Sequence, residues 1–589
     1  MTTVMGGDRV ARMLAAEGVD TVFGIIDGSY FGLYSRLGAH GIRLITPRHE
    51  TTAVHMAGAY ARLTGRLGVC IASNGPGVAN ALPGVAVEQG EGNRVLLLTS
   101  WRRSPIVGPD RGGTYQYFDQ VAVTQPMTKW SGAATSIERV PEMLRRALRV
   151  SWQGRPGVVH LCIPEDVLNT EVEDPAPAER AVDPSPARYR RHTELAPGAA
   201  AAREAADLLV ASGLPLIHAG SGVLHAQATA ELREVAELLR APVTTSWGAR
   251  DVIDERATVS IPMAYVDLLT QVRNDADVVL ALGTRFGETD WWGKAPYWRR
   301  ANEQRVVQVD VDEQMLGMNK PIDVGIVADV RVFLRALLDE LRSRGELPHR
   351  ETRDAKIAEY AAARVAACTE LEAGPHAAPD SPVNSGVVAP IAQQVFGDDA
   401  VLVIDGGNTA IWANLYHEAR VPHTLLSTWK FGMLGACFGQ ALGAQAAFPG
   451  RPVYCITGDG AMGFHPQELE TAVRNDLPVT FVVLSDRAWG MVKVNQEFAI
   501  DAERLLAEGT LPDSERINTD LGEIRWDDLA RSMGAHGERV SSRAQLRGAL
   551  ERARDCGRCA VVHVDVDPVA HKFAPNLLTF KEMHAEPAG

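Results

Sequence analysis

Asp459 and Asp486 each close an apolar run, and the residues around them suit a charged ligand. Val453-Tyr-Cys-Ile-Thr457 leads into Gly458-Asp459-Gly460-Ala461-Met462, and Val479-Thr-Phe-Val-Val-Leu484 leads into Ser485-Asp486-Arg487-Ala488-Trp489-Gly490. Pro466 to Asn475, between them, reads as a helix, so the whole is one βαβ unit with a carboxylate at the C-terminal end of each strand. Ligands bind at that edge of a parallel sheet. Two glycines let backbone N–H groups approach a phosphate, and the helix N-terminus adds partial positive charge. Hard oxygen ligands beside such a cradle suit Mg²⁺, which takes one or two carboxylates together with phosphate oxygens.

Other residues offer chemistry alongside a plainer reading. Glu50 follows the strand Arg43–Thr46 in Pro47-Arg-His-Glu50, at the start of a helix, where a solvated carboxylate is also favoured by the helix dipole. Gly406-Gly407-Asn408-Thr409 follows the strand Val401–Asp405, and Asn408 or Thr409 also suits a helix cap. Phe431-Gly432-Met433-Leu434-Gly435 also reads as a Gly-rich helix start, and Gln116 as a solvent-facing side chain. His49 and His465 suit proton shuttling or packing. The seven cysteines are scattered, and Cys556-Gly-Arg-Cys559 has no second pair, so loop or buried thiols are expected there.

The elements that must hold these residues repeat. Helices Asp8–Glu17 and Thr52–Leu63 alternate with strands Gly68–Ser73, Val95–Ser100 and Val158–Ile163, which predicts a parallel α/β domain over 1–175. A Pro-rich linker begins at Glu173. Strands Pro215–Ala219, Val278–Gly283 and Arg305–Asp310 predict a central α/β domain over 195–345. Residues 346–383 are polar, with one helical piece and then Gly374-Pro375, and read as a second linker. The third α/β domain spans 384–570, and 571–589 form a C-terminal tail or lid. The fold class expected is α/β, three doubly wound parallel-sheet domains.

A chain of 589 residues suits three or four domains, and 46% hydrophobic with 22% charged residues is ordinary for a globular protein. A net charge of −14 argues against a nucleic-acid or anionic-membrane surface. No apolar run approaches the roughly 20 residues of a membrane span. The N-terminus lacks a basic and then apolar signal region, so a cytoplasmic protein is expected.

Across essentially the whole chain these strings resemble the thiamine diphosphate (ThDP) enzymes, whose layout is pyrimidine-binding, central and diphosphate-binding. The resemblance implies ThDP and Mg²⁺, with Asp459, Asp486 and the Ala488 carbonyl as metal ligands and Gly458, Gly460, Ala461 and Met462 at the cofactor. Ser485-Asp486 stands where the family has Asn-Asn, which adds a negative charge facing the diphosphate. Arg48-His49-Glu50 … Ala57-Gly-Ala-Tyr60-Ala-Arg62 … Gly65 is similar to the segment bearing the activating glutamate. Glu50 would then bond the aminopyrimidine ring and favour the imino form that removes the thiazolium C2 proton. Family precedent sets this glutamate across a dimer interface from the Gly-Asp-Gly turn, so a homodimer or homotetramer with shared sites is expected.

The same resemblance makes Leu434 the wedge that bends the cofactor and Gly432 an acceptor for its 4′-amino group, with Asn408 and Thr409 as donors to the diphosphate. Tyr115-Gln116 … Asp119-Gln120-Val-Ala … Lys129-Trp130 is similar to benzaldehyde lyase and acetolactate synthase, and implies that Gln116 donates to the developing alkoxide. Gly28 fills a pocket position that is small in acetolactate synthases and Asp in pyruvate decarboxylases, which leaves room for a second carbonyl. Ile26, Ser29 and Ala410 stand where benzaldehyde lyase has two His and a Tyr, so benzaldehyde itself is not expected. Gly220-Ser-Gly222-Val223, Arg285 and Asp310 form no complete dinucleotide fingerprint, so neither the FAD of acetolactate synthases nor the ADP of 2-hydroxyacyl-CoA lyases is expected centrally. The implied activity is carboligation or lysis, moving an acyl anion from a 2-keto acid or acyloin to a small carbonyl acceptor. Acetolactate synthase proper and 2-hydroxyacyl-CoA lyase are the alternatives. A catalytically dead assembly homologue is disfavoured by Glu50, Asp459, Asp486 and the wedge together.

Overall fold

The computed structural model describes residues 3–107, 112–173, 185–191, 193–583 and 587. Apolar strands form three six-stranded parallel sheets, each buried on both faces by helices, as the near-continuous Val/Ile/Leu runs require. The first takes, in spatial order, Arg43–Ile45, Thr21–Gly24, Gly68–Ala72, Val95–Trp101, Val158–Pro164 and Trp130–Ala133. The third takes Leu425–Leu426, Val401–Ile404, Val453–Gly458, Val479–Ser485, Ala560–Asp565 and His536–Val540. Both have the order 2-1-3-4-6-5 when strands are numbered within the sheet, so one topology is used twice. The central sheet, from Ser260–Ile261 through Val243–Thr245, Pro215–Ala219, Val278–Leu282 and Arg305–Asp310 to Val324–Val327, has the order 3-2-1-4-5-6. The strand order reverses beside the first strand of every sheet, and crevices for ligands open at such points.

The helix bearing Glu50, Glu50–Thr64, lies on Ala436–Ala447, the helix after the expected wedge. Gly439 and Gly443, one turn apart, allow the approach: a Cβ would meet the Thr52 carbonyl at 2.7 Å and Met56 Cα at 2.7 Å, respectively. The first and third sheets therefore share a continuous apolar core through Val54, Met56, Phe438 and Leu442.

Two expectations about connections are corrected or left aside. Residues 350–377 are one 28-residue helix, Arg350–Ala377, where a linker with one helical piece ending before Gly374-Pro375 was expected. Pro375 sits inside it. Proline removes the N–H that would bond the carbonyl four residues earlier, and that carbonyl, Leu371 O, instead accepts from Tyr416 Oη at 3.0 Å. The Pro-rich linker after Glu173 lies almost wholly outside the described residues. At the other end, the turn Ala570–Lys572 and the helix Leu577–Met583 dock on the body, with Tyr297 Oη donating to Glu582 at 2.9 Å. Among the described residues no helix is long and apolar enough to cross a membrane.

Candidate active site

The strands Val453–Gly458 and Val479–Ser485 are neighbours in register, so Asp459 and Asp486 emerge side by side from one sheet edge. Asp459 is buried, and its Oδ2 accepts from Ser485 Oγ at 2.9 Å and from the Arg487 N–H at 2.8 Å. Its Oδ1 accepts from the Gly460 N–H at 2.8 Å. Ser485, at the departure from Asn-Asn, thus orients the first carboxylate. Asp486 Oδ1 accepts from the Ala488 N–H at 3.3 Å, while Oδ2 is buried without a partner. Burial and the neighbouring Asp459 push the Asp486 carboxyl up to about 7, and burial also raises Asp459. Among the described residues no Lys or Arg pairs with either carboxylate.

Across the switch point, Gly406-Gly407 end the loop after Val401–Ile404 and open the helix Asn408–Tyr416. Asn408 does not cap this helix: both its amide oxygen and nitrogen are buried and unpartnered. An unpaired buried polar group costs about 1–3 kcal/mol, so these three atoms, one donor and two acceptors, fit a polar ligand at the cradle. The cradle is tight. A Cβ on Gly490 would lie 2.7 Å from Asp486 Oδ2 and 3.0 Å from Asn408 Nδ2. One on Gly458 would lie 3.0 Å from Thr409 Oγ1, and one on Gly460 would lie 3.9 Å from the Ala488 carbonyl oxygen. Ala461 and Met462 are buried in the short helix Asp459–Met462. A hard divalent cation carrying phosphate oxygens fits this donor set. Among the described residues no three His, Cys, Asp or Glu side chains gather as a metal site, so such a cation depends on its phosphate for further ligands. The cysteines are free thiols, Cys556 and Cys559 included.

Asp405 was missed by sequence reasoning, although it ends a strand before two glycines just as Asp459 precedes one. Its Oδ2 accepts from the Gly435 and Cys437 N–H groups at 2.9 and 3.0 Å and from there fixes the segment that carries Gly432 and Leu434. Gly432 has φ 67°, a left-handed conformation suited to glycine, and the helix starts only at Ala436. Leu434 is half-buried.

Glu50 belongs to a second cluster, at the switch point of the first sheet. It is buried in the first turn of its helix, where His49 Nδ1 caps by accepting from the Thr51 N–H at 3.2 Å. Asn80 Nδ2 donates to Glu50 Oε2 at 3.1 Å, and Gly77 leaves room for Oε1, with a Cβ there 3.4 Å away. Gln116 has φ 52°, and its carbonyl accepts from Asn74 Nδ2 at 3.0 Å. The neighbouring Gly75 N–H donates to buried Gln120, whose amide donates to the Ser100 carbonyl at 2.8 Å. Asn74 and Gln120 therefore hold the loop of Gln116; the Gln120-Val-Ala string carried that signal. A Cβ on Gly28 would meet nothing within 4 Å. Ser29 Oγ and Ser100 Oγ are 2.6 Å apart. The rings of His49 and His465 lie 5.0 Å apart, and burial holds His465 down at about 4. Among the described residues no hydrogen bond or ion pair joins Glu50 to the Asp459–Asp486 pair within one chain.

Three family models match the chain: the N-terminal binding domain of thiamine pyrophosphate enzymes over residues 4–123, their central domain over 202–337 and their C-terminal binding domain over 405–564. An acetolactate synthase of Mycobacterium bovis is 31% identical over 563 residues, covering 95% of this chain and 87% of its own. A sulfoacetaldehyde acetyltransferase of Alcaligenes xylosoxydans is 30% identical, covering 93% and 91%. A Pseudomonas aeruginosa protein named "Probable 2-ketoarginine decarboxylase AruI" is 32% identical, covering 87% and 86%. The chain belongs to the thiamine pyrophosphate enzymes, on their acetolactate synthase-like branch. It is a ThDP-dependent enzyme that makes or breaks a carbon–carbon bond next to a carbonyl.

Proposed function

We propose that the enzyme is an Mg²⁺-dependent carboligase that takes an acyl group from a 2-keto acid and delivers it to a second carbonyl compound. When bound, ThDP supplies the nucleophilic carbon that attacks the donor carbonyl. Asp459, Asp486 and the Ala488 carbonyl would hold Mg²⁺ beside its diphosphate, and Asn408 and Thr409 would donate to phosphate oxygens. Leu434 would pack against its rings, and the Gly432 carbonyl would accept from its amino group. Glu50 holds a proton at the aminopyrimidine nitrogen. Gln116 donates a hydrogen bond to the substrate oxygen as charge builds there. The family likeness that supplies these roles also supports a homodimer, or dimer of dimers, with each site shared between two chains.

The open space beside Gly28 carries the choice of carboligation, because a second carbonyl needs room next to the first. Relatives named as synthase, acetyltransferase and decarboxylase leave that choice to the pocket. The test is to supply 2-keto acids with and without aldehyde or keto-acid acceptors and compare the Gly28→Phe variant. The expected result is a ligated product whose yield falls at least about tenfold in Gly28→Phe while donor consumption persists. Free aldehyde as the sole product of every donor would overturn the reading in favour of decarboxylation.

A second ligand is favoured by a cavity of about 1360 Å³ at the switch point of the central sheet, lined by Gly220, Gly222, Gly283, Arg285, Asp310 and Lys430 among others. Gly222 and Gly283 touch, so only glycines fit there. Burial and the nearby Arg285 and Arg155 bring Lys430 down to about 8, and burial takes Asp310 up to about 6. Crowded cations across from a strand-end carboxyl suit a phosphate and a ribose, so a nucleotide belongs in this reading although the sequence strings argued against one. Release of a nucleotide from the acid-precipitated protein, read by absorbance and mass, tests it; nucleotide-free protein that neither FAD nor ADP stabilises would remove it.

A further inference from the structure

His571 lies in the C-terminal segment, after the last strand of the third sheet and far in sequence from the cofactor loops. It is nonetheless buried against one of them. Its Nε2 is 3.2 Å from Thr409 Oγ1, and its Nδ1 is 2.6 Å from Ser385 Oγ. Its carbonyl accepts from Trp412 Nε1 at 2.8 Å, and its ring stacks on the Trp412 indole. The next residue, Lys572, donates to Glu497 at 2.6 Å in an ion pair buried on both sides. Glu497 lies on the helix Gly490–Glu508, whose first residue packs against Asp486 and Asn408. The segment is thus fixed at two successive residues to the helices that begin at the cofactor cradle. Burial lowers the His571 imidazole to about 4, so the ring is neutral and carries one N–H.

That single proton has two places to go, with different consequences for Thr409. With the proton on Nδ1, the ring donates to Ser385 and accepts the Thr409 hydroxyl proton, so Thr409 turns only lone pairs outward. With the proton on Nε2, Ser385 donates to Nδ1 and the ring donates to Thr409 Oγ1, so the Thr409 proton is free to point at an anion. A diphosphate offers only acceptors to its surroundings. We propose that His571 is a positioning residue for the cofactor: as its Nε2–H tautomer it holds Thr409 Oγ1 as an acceptor and turns the Thr409 proton onto a diphosphate oxygen. This rests on the reading of Thr409 as a diphosphate donor. It also makes the C-terminal segment part of the cofactor site, through Ser385, His571 and Thr409 in line.

The full-length protein, freed of cofactor by dialysis, is titrated with ThDP at saturating Mg²⁺ by calorimetry. Glutamine reaches the Nε2 position and can still donate to Thr409, whereas asparagine is too short. His571→Gln is expected to bind ThDP within about threefold of wild type, and His571→Asn about tenfold or more weaker, since hydrogen bonds to charged groups are among the stronger ones and this one acts through an intermediary. Thr409→Val is also expected to weaken binding, and the double variant Thr409→Val with His571→Asn to be no weaker than Thr409→Val alone. Wild-type affinity in His571→Asn, or losses that multiply in the double variant, would overturn the positioning role. Wild-type affinity in Thr409→Val would instead sink the diphosphate reading beneath it. Neutron diffraction on the loaded wild-type protein needs no variant: a deuteron on Nε2 is expected, and one on Nδ1 refutes the relay.

Discussion

Glu50 is distinguished by how little it is committed. Asn80 takes one carboxylate oxygen, and the absent Cβ of Gly77 keeps space beside the other. Glu50→Gln keeps the shape and removes the charge that stabilises a proton on the aminopyrimidine. ThDP should still bind, and exchange of its C2 proton, followed by NMR, should slow by orders of magnitude; exchange at the wild-type rate would end the assignment. The aspartates separate in the same way. Asp459 accepts three hydrogen bonds and has no substitute, so Asp459→Ala should abolish ThDP retention in a calorimetric titration. Asp486 sets a second carboxylate beside it, and burial together with Asp459 raises the Asp486 carboxyl. Asp486→Asn removes the repulsion and keeps an oxygen ligand, so Mg²⁺-dependent ThDP affinity should change by less than about fivefold.

At the scale of elements, the cradle depends on where helices start. Gly490 opens its helix against Asp486 and Asn408, and a methyl group there has no free volume. Gly490→Ala should therefore weaken ThDP binding at least about tenfold with little change in the thermal midpoint of cofactor-free protein, because the displaced atoms belong to the cradle and not to the core. Such strand-to-helix junctions were the legible part of the sequence. The strands read from long apolar runs ended within a residue or two of their observed bounds, and the Gly-Asp-Gly and Gly-Gly-Asn-Thr turns fell at switch points as their types required, but Thr21–Gly24, Trp130–Ala133, Val243–Thr245, Val324–Val327 and His536–Val540 were not read. Edge strands such as Leu425–Leu426 and Ser260–Ile261 were missed, since two residues carry no periodicity. The supports of the site were missed for another reason. Asp405, Asn74 and His571 act on residues 30 or more positions away, or across a loop, and no local pattern encodes that. The break expected at Gly374-Pro375 failed because Tyr416, a distant residue, satisfies the carbonyl that proline frees.

At the scale of the whole molecule, a shared site predicts complementation. Inactive Glu50→Gln chains mixed with inactive Asp459→Ala chains should regain activity, because one site of each hybrid dimer keeps both residues. The recovered rate should approach a quarter of wild type for random exchange, since half of the dimers are then hybrids with one good site of two. No recovery after subunit exchange proven by mass spectrometry would place both residues in one chain's site.

The 28-residue helix Arg350–Ala377 sets a different constraint, one of phase. Near its start, Arg353 donates to the carbonyls of Leu209, Val210, Ser212 and Leu239. About two to three turns beyond mid-helix, its far end meets the third domain through Leu371 with Tyr416 and through Pro375 packed on Gly386. Each residue inserted between those attachments would turn everything downstream by about 100° and carry it about 1.5 Å along the axis. Chimaeras that exchange the middle of this enzyme for a relative's are thus governed by residue count across a rigid axle: joins that conserve the interval from Arg353 to Pro375 should assemble, and joins off by one should not.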